Sequence, residues 1–322
     1  MSGSSGFIGR PLFSFLKSEG QIVVPLVRSK VVSNAISWDP ATGTFDKEAL
    51  EGFDAFIHLA GENIANGRWT KKKKEKLFQS RCRDTWFLSR ALSHLKSPPK
   101  TVIAASALGF YGDRGDELLT EDSPKGEGFL PDLCEKWEEA TDVLEAIPKP
   151  AENFTFDNAS ATDLQQAKLV SKQPMCKHMG DADSCKDGDA GAVKSEVFSR
   201  FRYKRVRVVH ARFGSVLSPQ GGMLAKLLPL YKLGLGGRLG SGKQFISWIA
   251  LEDLIGILYH VLLLPQIVGP LNVVSPHAIR QEEFAKLLAK KLHRPAFVHL
   301  PAFLLKLMLG EMADALLLAS RW

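Results

Sequence analysis

The chain has 322 residues, 45% of them hydrophobic and 24% charged, with a formal net charge of +7. A core of that size needs no disulfides, and no apolar run reaches the roughly 18–20 residues of a membrane span. The most apolar stretch, 254–268, is interrupted by His260 and Pro265. Cys82, Cys134, Cys176 and Cys185 show no metal-ligand spacing, so the sequence predicts no metal site and a reducing, cytoplasmic setting.

In chain order, the first unit is Gly3-Ser-Ser-Gly6-Phe7-Ile8-Gly9, running into a segment with apolar residues at 8, 12, 15 and 16. That spacing is helical, and Gly20 is a natural stop. Strands come next at 21–28, near 36–39 and at 54–61. A helical pattern covers 71–95, a buried strand 101–107, a helix 133–145 and a further strand 205–212. Buried strands alternating with helices indicate an α/β, Rossmann-type, doubly wound parallel sheet. Residues 1–276 read as the dinucleotide-binding domain and 277–322 as a partial C-terminal lobe. The polar stretch 147–202, rich in Lys, Asp, Ala and Ser, reads as a disordered insert. The strand expected before the glycines is reduced to Met1-Ser2, so the chain reads as cut short at both ends. Because that strand belongs in the middle of the sheet, its loss would leave two neighbouring strands with unpaired edges.

The glycine spacing points to a dinucleotide. Small residues let the main chain approach a diphosphate, and a helix N-terminus offers free N–H groups and a positive dipole end. Gly3, Gly6, Phe7, Ile8 and Gly9 are the expected contacts. At the end of the second strand an NAD site would carry a carboxylate for the ribose hydroxyl. This chain has Val27-Arg28-Ser29-Lys30; Arg28 can grip a 2′-phosphate that a carboxylate would repel, which favours NADP. Leu59, Ala60 and Gly61 lie at the carboxyl edge of the next strand, where such sheets present ligands. His58, inside an apolar strand, reads as a core histidine rather than a proton shuttle.

These residues carry a resemblance. With Gly6-Phe-Ile-Gly-Arg-Pro-Leu12, Leu59-Ala-Gly-Glu-Asn-Ile64, Ser106-Ala-x-Gly-Phe-Tyr-Gly-Asp-Arg-Gly-Asp116, Arg212-x-Gly-x-Val-Leu217 and Ser247-Trp-Ile249, the chain resembles the epimerase-type branch of the extended short-chain dehydrogenase/reductases. Within it, the match is to an atypical NADP-binding, epimerase-like subgroup, and it covers nearly everything outside 147–202. The resemblance implies an NADP site with a small lobe closing over a small carbonyl, hydroxyl or nucleotide-linked substrate. It adds Lys76 and Arg81 as cofactor contacts.

Most of that superfamily exchanges a proton through a Tyr-x-x-x-Lys pair, the lysine lowering the phenol pKa. Aligned on Trp137-Glu138, those positions fall on Leu130 and Cys134, neither of which can do so. Ser106 and Tyr111 remain as candidate catalytic groups. Two functions are open: an NADP-dependent oxidoreductase or epimerase acting on a small molecule, or a non-catalytic NADP-binding protein with a redox-sensing or regulatory role. The basic run at Lys71–Lys74 and Lys76 lacks interleaved aromatics and any recognised module, so neither nucleic acid nor membrane is the expected partner. Oligomeric state is left open.

Overall fold

The computed structural model describes residues 1–28, 34–145 and 206–322. Its centre is a run of parallel strands: β1 (Leu26–Val27), β2 (Ile36–Asp39) with a short antiparallel β3 (Thr44–Phe45), β4 (Ala55–His58), β5 (Thr101–Ala107), β6 (Arg207–Phe213) and a last strand, Gly269–Val273. β4, β5, β6 and the last strand pair in that order, while β1, β2 and β3 form a second group.

Ser2 joins the two groups. It forms parallel bridges to Leu26 on one side and His58 on the other. The Ser2 amide donates to Ile57 O (2.9 Å), the Leu59 amide to Ser2 O (3.4 Å), and the Leu26 amide to Met1 O (2.7 Å). The order across the fold is therefore β2, β1, Ser2, β4, β5, β6 and Gly269–Val273, which is a doubly wound sheet. This corrects the expectation of unpaired edges on both neighbours: one fully buried residue supplies a rung to each. The strand expected over 21–28 contracts to Leu26–Val27, and Ile22 is 90% exposed.

Helices cover both faces, as the continuous apolar runs of β4 and β5 require. α1 (Gly9–Ser18) buries Leu12 and Leu16 in a core with Ile57, Ile103 and Val209, together with Leu254 and Leu258 of the helix Leu251–Leu263. Phe15 meets Tyr259 edge-on at 5.4 Å in the same layer. One residue along β4 the side chain turns to the opposite face, where His58 meets Thr85 of α3 (Asp84–Ser93). The expected helix 71–95 is interrupted: α2 (Lys71–Phe78) passes through a π-helical turn, Gln79–Arg83, into α3. α4 (Phe129–Glu139) begins earlier than its apolar spacing alone indicated and ends sooner. Pro131 sits in its first turn, where a missing N–H is harmless, and Leu144 comes later in a separate 3-10 turn. The reading of 147–202 as an insert lies outside the described residues.

His58 is 1% exposed, with Nδ1 2.6 Å from Ser2 Oγ and Nε2 3.0 Å from Thr85 Oγ1. Each hydroxyl can donate or accept, so a neutral ring is satisfied on both nitrogens. Burial pushes its pKa down to about 4. Unfolded chains therefore take up a proton near pH 6.5 that the folded chain refuses until about pH 4, and stability falls with pH across that window. We expect His58→Gln to remove about one proton, or roughly 1.4 kcal/mol per pH unit, from the slope of unfolding free energy between pH 6.5 and 4 in urea titrations. An unchanged slope would show that the ring titrates in the fold.

Candidate functional site

The carboxyl edge of the sheet gathers most of the residues expected to hold a dinucleotide. Gly3 has φ +69°, and a Cβ there would stand 2.7 Å from Leu59 C and 2.8 Å from Ala60 N. Gly9 is more constrained still, since its Cβ would lie 1.9 Å from Gly3 O. Both glycines are thus required by close main-chain packing of the turn on β4 and of α1 on the turn. Gly6 has a different status. It is exposed, its amide closes the turn onto Gly3 O (3.0 Å), and an added Cβ would meet only that oxygen, at 3.2 Å. Beyond it α1 opens with no side-chain cap and no acidic residue in its first turn, leaving a positive helix end facing outward. Phe7 points away from the turn to pack on Gly221, where a Cβ would come within 2.2 Å of its ring.

Arg28 is exposed at the carboxyl end of β1, two residues beyond Leu26, the partner of Ser2. On the other side Ala60 follows His58 by two residues, with its amide against Gly3. On that side Arg81 lies beneath Gly61: its Nη1 donates to Glu62 O (3.0 Å), and its guanidinium stacks on Trp137 at 5.0 Å. Burial lowers the Arg81 pKa. Lys76 is exposed, and both Lys76 and Arg81 act electrostatically on Glu62, which Lys73 binds at 2.6 Å. The π turn between α2 and α3 places residues five apart on one face, which is how these two cations come to share a neighbour. Gly3, Gly6, Gly9, Leu59, Ala60, Gly61 and Arg81 thus surround one edge, with Val27–Arg28 at its far side and Lys76 at its rim.

Ser106 and Tyr111 lie together, but in a buried polar network. Ser106 Oγ donates to Glu138 Oε1 (2.6 Å). Glu138 also receives Arg212 Nε and Nη2 in a bidentate pair at 2.8 and 2.7 Å. Arg212 Nη1 donates to the Tyr111 hydroxyl (2.8 Å), which in turn donates to Asn272 Oδ1 (2.8 Å). Arg212 further lies 3.7 Å over the Phe110 ring. Burial pulls the Arg212 pKa down but is outweighed by the Glu138 carboxylate, so the guanidinium ends above its ordinary value. Burial raises the Tyr111 phenol, the opposite of what proton exchange asks for. Glu138, Arg212 and Asn272 were not expected at the site. The available signal was Arg212, a charge inside an apolar strand, which must find a partner.

Leu130 and Cys134 pack against Gly109 in the turn after β5, where a Cβ would meet Cys134 Sγ at 3.4 Å and the Leu130 side chain at 3.5 Å. Cys134 is 2% exposed and burial pushes its thiol up to about 12, so it is no nucleophile. Among the described residues no cluster of three or more His, Cys, Asp or Glu could hold a metal, and no helix is long and apolar enough to cross a membrane.

This arrangement agrees with what the chain is similar to. Residues 1–128 match the NAD dependent epimerase/dehydratase family. Over 322 residues the chain is 34% identical to Epimerase family protein Mb2239 of Mycobacterium bovis, spanning all of this chain and 87% of that one. The chain belongs to the epimerase family. Epimerase family protein SDR39U1 of Homo sapiens is 30% identical over 324 residues, covering 100% of this chain and 89% of its own length. The crystal structure of human epimerase family protein SDR39U1 (isoform2) with NADPH superposes with a TM-score of 0.73 at 29% identity, over 99% of this chain and 88% of that one. The chain is thus a member of an NAD(P)-dependent epimerase family on the extended short-chain dehydrogenase/reductase fold.

The buried pair gives a direct test. Side-chain exposure is 4% for Arg212 and 12% for Glu138, so Glu138→Ala strands a buried cation. We expect a loss of about 3–5 kcal/mol in urea unfolding. A loss under about 1 kcal/mol would mean that water reaches Arg212.

Proposed function

We propose that this epimerase-family chain binds NADP(H), with the diphosphate over Gly6 and the helix end and the 2′-phosphate against Arg28. The observation that carries the reading is the register across Ser2. It sets Leu26 and His58 on either side of Ser2, so the carboxyl end of β1, with Arg28, and that of β4, with Ala60, flank the glycine turn. The cradle fits the group: Gly3 and Gly9 are closed by main chain, a Cβ on Gly6 would meet only Gly3 O, at 3.2 Å, and one on Gly61 would meet the Arg81 guanidinium, at 3.6 Å. Bound there, the dinucleotide supplies hydride transfer at its nicotinamide.

Two roles for such binding are separable. An oxidoreductase or epimerase acting on a small carbonyl or hydroxyl compound is supported by Ser106 and Tyr111 at the carboxyl end of β5. The non-catalytic reading, cofactor binding as redox sensing or regulation, is supported by the same residues' engagement. The Tyr111 hydroxyl accepts from Arg212 and spends its proton on Asn272, and apolar Leu130 with a neutral thiol at Cys134 stands where the Tyr–Lys pair belongs. We favour the second. The basic run offers little to nucleic acid, since Lys73 is bound to Glu62 and Lys74 to Glu311.

Fluorescence titration of NADPH and NADH tests the binding claim. Arg28→Ala removes charge-assisted hydrogen bonds of roughly 1.5–3 kcal/mol, so NADPH affinity should fall about 10- to 100-fold. NADH affinity should hardly change. Equal losses for both cofactors would remove Arg28 from the site. Incubation with NADPH and panels of carbonyl compounds and nucleotide sugars then separates the readings. No loss of nicotinamide absorbance fits the non-catalytic one, whereas turnover abolished by Tyr111→Phe or Ser106→Ala restores the enzyme.

A further inference from the structure

Two helices in the second half of the chain end in adjoining turns. The helix Gly222–Lys232 stops at Gly234 (φ 76°), with the Leu235 amide closing onto Leu230 O (2.9 Å). The helix Gln281–Lys291 stops in the same way at His293 (φ 53°), with the Arg294 amide closing onto Ala289 O (3.0 Å). Contacts between the turns join them into one tip. Arg294 Nε donates to Lys232 O (3.0 Å), a Cβ on Gly234 would lie 3.6 Å from Pro295, and the Val298 amide reaches Gly236 O (3.3 Å). Behind the tip, Tyr231, Ala285 and Ala289 form a core with Leu227, Leu288 and Leu292.

That core leaves out several large side chains of the tip. Phe297 is 89% exposed and Leu233 74%, and Leu230, Leu235 and Val298 are exposed beside them. Single apolar side chains at a surface are ordinary, but five on two joined turns make a patch. Around them stand Lys232, Lys290, Lys291 and Arg294, all exposed and none in a salt bridge among the described residues. No Asp or Glu occurs in 226–240 or in 284–310, which carry three and five Lys or Arg respectively. The acids of the second helix, Glu282 and Glu283, lie in its first turn, about 12 Å along the axis from Lys290. A helix C-terminus favours cations for its own dipole, which accounts for the lysines but not for bare Phe297 and Leu233.

We infer that this tip docks on an anionic lipid membrane, with Phe297 and Leu233 entering the boundary between head groups and acyl chains and the four cations meeting the lipid charges. Charge selects that partner. A second copy of this chain would bring Lys232, Lys290, Lys291 and Arg294 against their own equivalents across a two-fold contact, where like charges repel. Interfaces between proteins are enriched in arginine and depleted of lysine, whereas three of these four cations are lysines, point charges suited to a diffuse field of head groups. The apolar side chains project from turns, a shape that enters a soft boundary. Docking of this kind is peripheral and needs no spanning helix. The sequence expectation of no membrane partner concerned the run Lys71–Lys74 and Lys76, a different part of the chain. No residue of the cofactor edge takes part, so the inference stands apart from the NADP(H) reading.

Flotation of the full chain with vesicles of phosphatidylcholine alone, or of phosphatidylcholine with phosphatidylserine, tests this. Association should be at least about tenfold tighter with the anionic vesicles, and it should weaken as salt is raised. Phe297→Ser and the pair Lys290→Gln/Lys291→Gln change exposed side chains only. Each should weaken association with the anionic vesicles about tenfold while leaving urea unfolding unchanged. Equal association with both vesicle types, no association with either, or association that a folded Phe297→Ser chain retains in full would each overturn the inference. A dimer in sedimentation that Phe297→Ser dissolves would give the face to a second copy and overturn it as well.

Discussion

The fold depends on a contact between main chains that no side chain could survive. Gly3 lies against the peptide joining Leu59 and Ala60, and Gly9 lies against the carbonyl of Gly3, each closer than a Cβ permits. These two approaches fix three things at once. They aim α1 across the sheet so that Leu12 and Leu16 reach the core. They hold Ser2 between β1 and β4, where it joins the two halves of the sheet. They also set the carboxyl ends of β1 and β4 on either side of the glycine turn. Relaxing either contact would move helix, seam and cofactor edge together.

Behind this edge the polar network from Ser106 to Asn272 does a different task. It links β5, α4, β6 and the last strand through the bidentate Arg212–Glu138 pair and the Tyr111 hydroxyl. Buried ion pairs seldom add net stability over an apolar replacement, but breaking one is severe. A fully satisfied network of this kind holds its members in one arrangement, so Tyr111 and Ser106 are well placed and poorly free to react.

Much of this was legible in the sequence. The glycine turn, α1, β2, β4, β5 and the parallel class came from spacing and apolar runs, because those features depend on local contacts. The place of Arg28 at the carboxyl end of β1 was readable from the apolar run that precedes it. His58 was readable as a core residue from its apolar neighbours. The illegible features depended on pairing across the chain. The rung supplied by Ser2 is invisible in a two-residue segment, and so is the limit of the strand over 21–28 to Leu26–Val27. The π turn at Gln79–Arg83 is not marked by any proline or glycine. Glu138, Arg212 and Asn272 lie far apart in sequence, so only their meeting reveals the network, and the expectation for 147–202 falls outside the described residues.

Two guanidiniums frame what distinguishes architecture from site. Arg212 and Arg321 are both withdrawn from water, and desolvation acts on both in the same direction. Arg212 meets a carboxylate in fork geometry, a phenol and an aromatic face, and nothing is left for a ligand to supply. Arg321 has one carbonyl and a bare Nε beside an uncapped helix. The two cases differ in whether a carboxylate meets the guanidinium: where one does, the fork fixes the strand and the helix that carry the pair, and where none does, a single carbonyl holds the charge inside the fold.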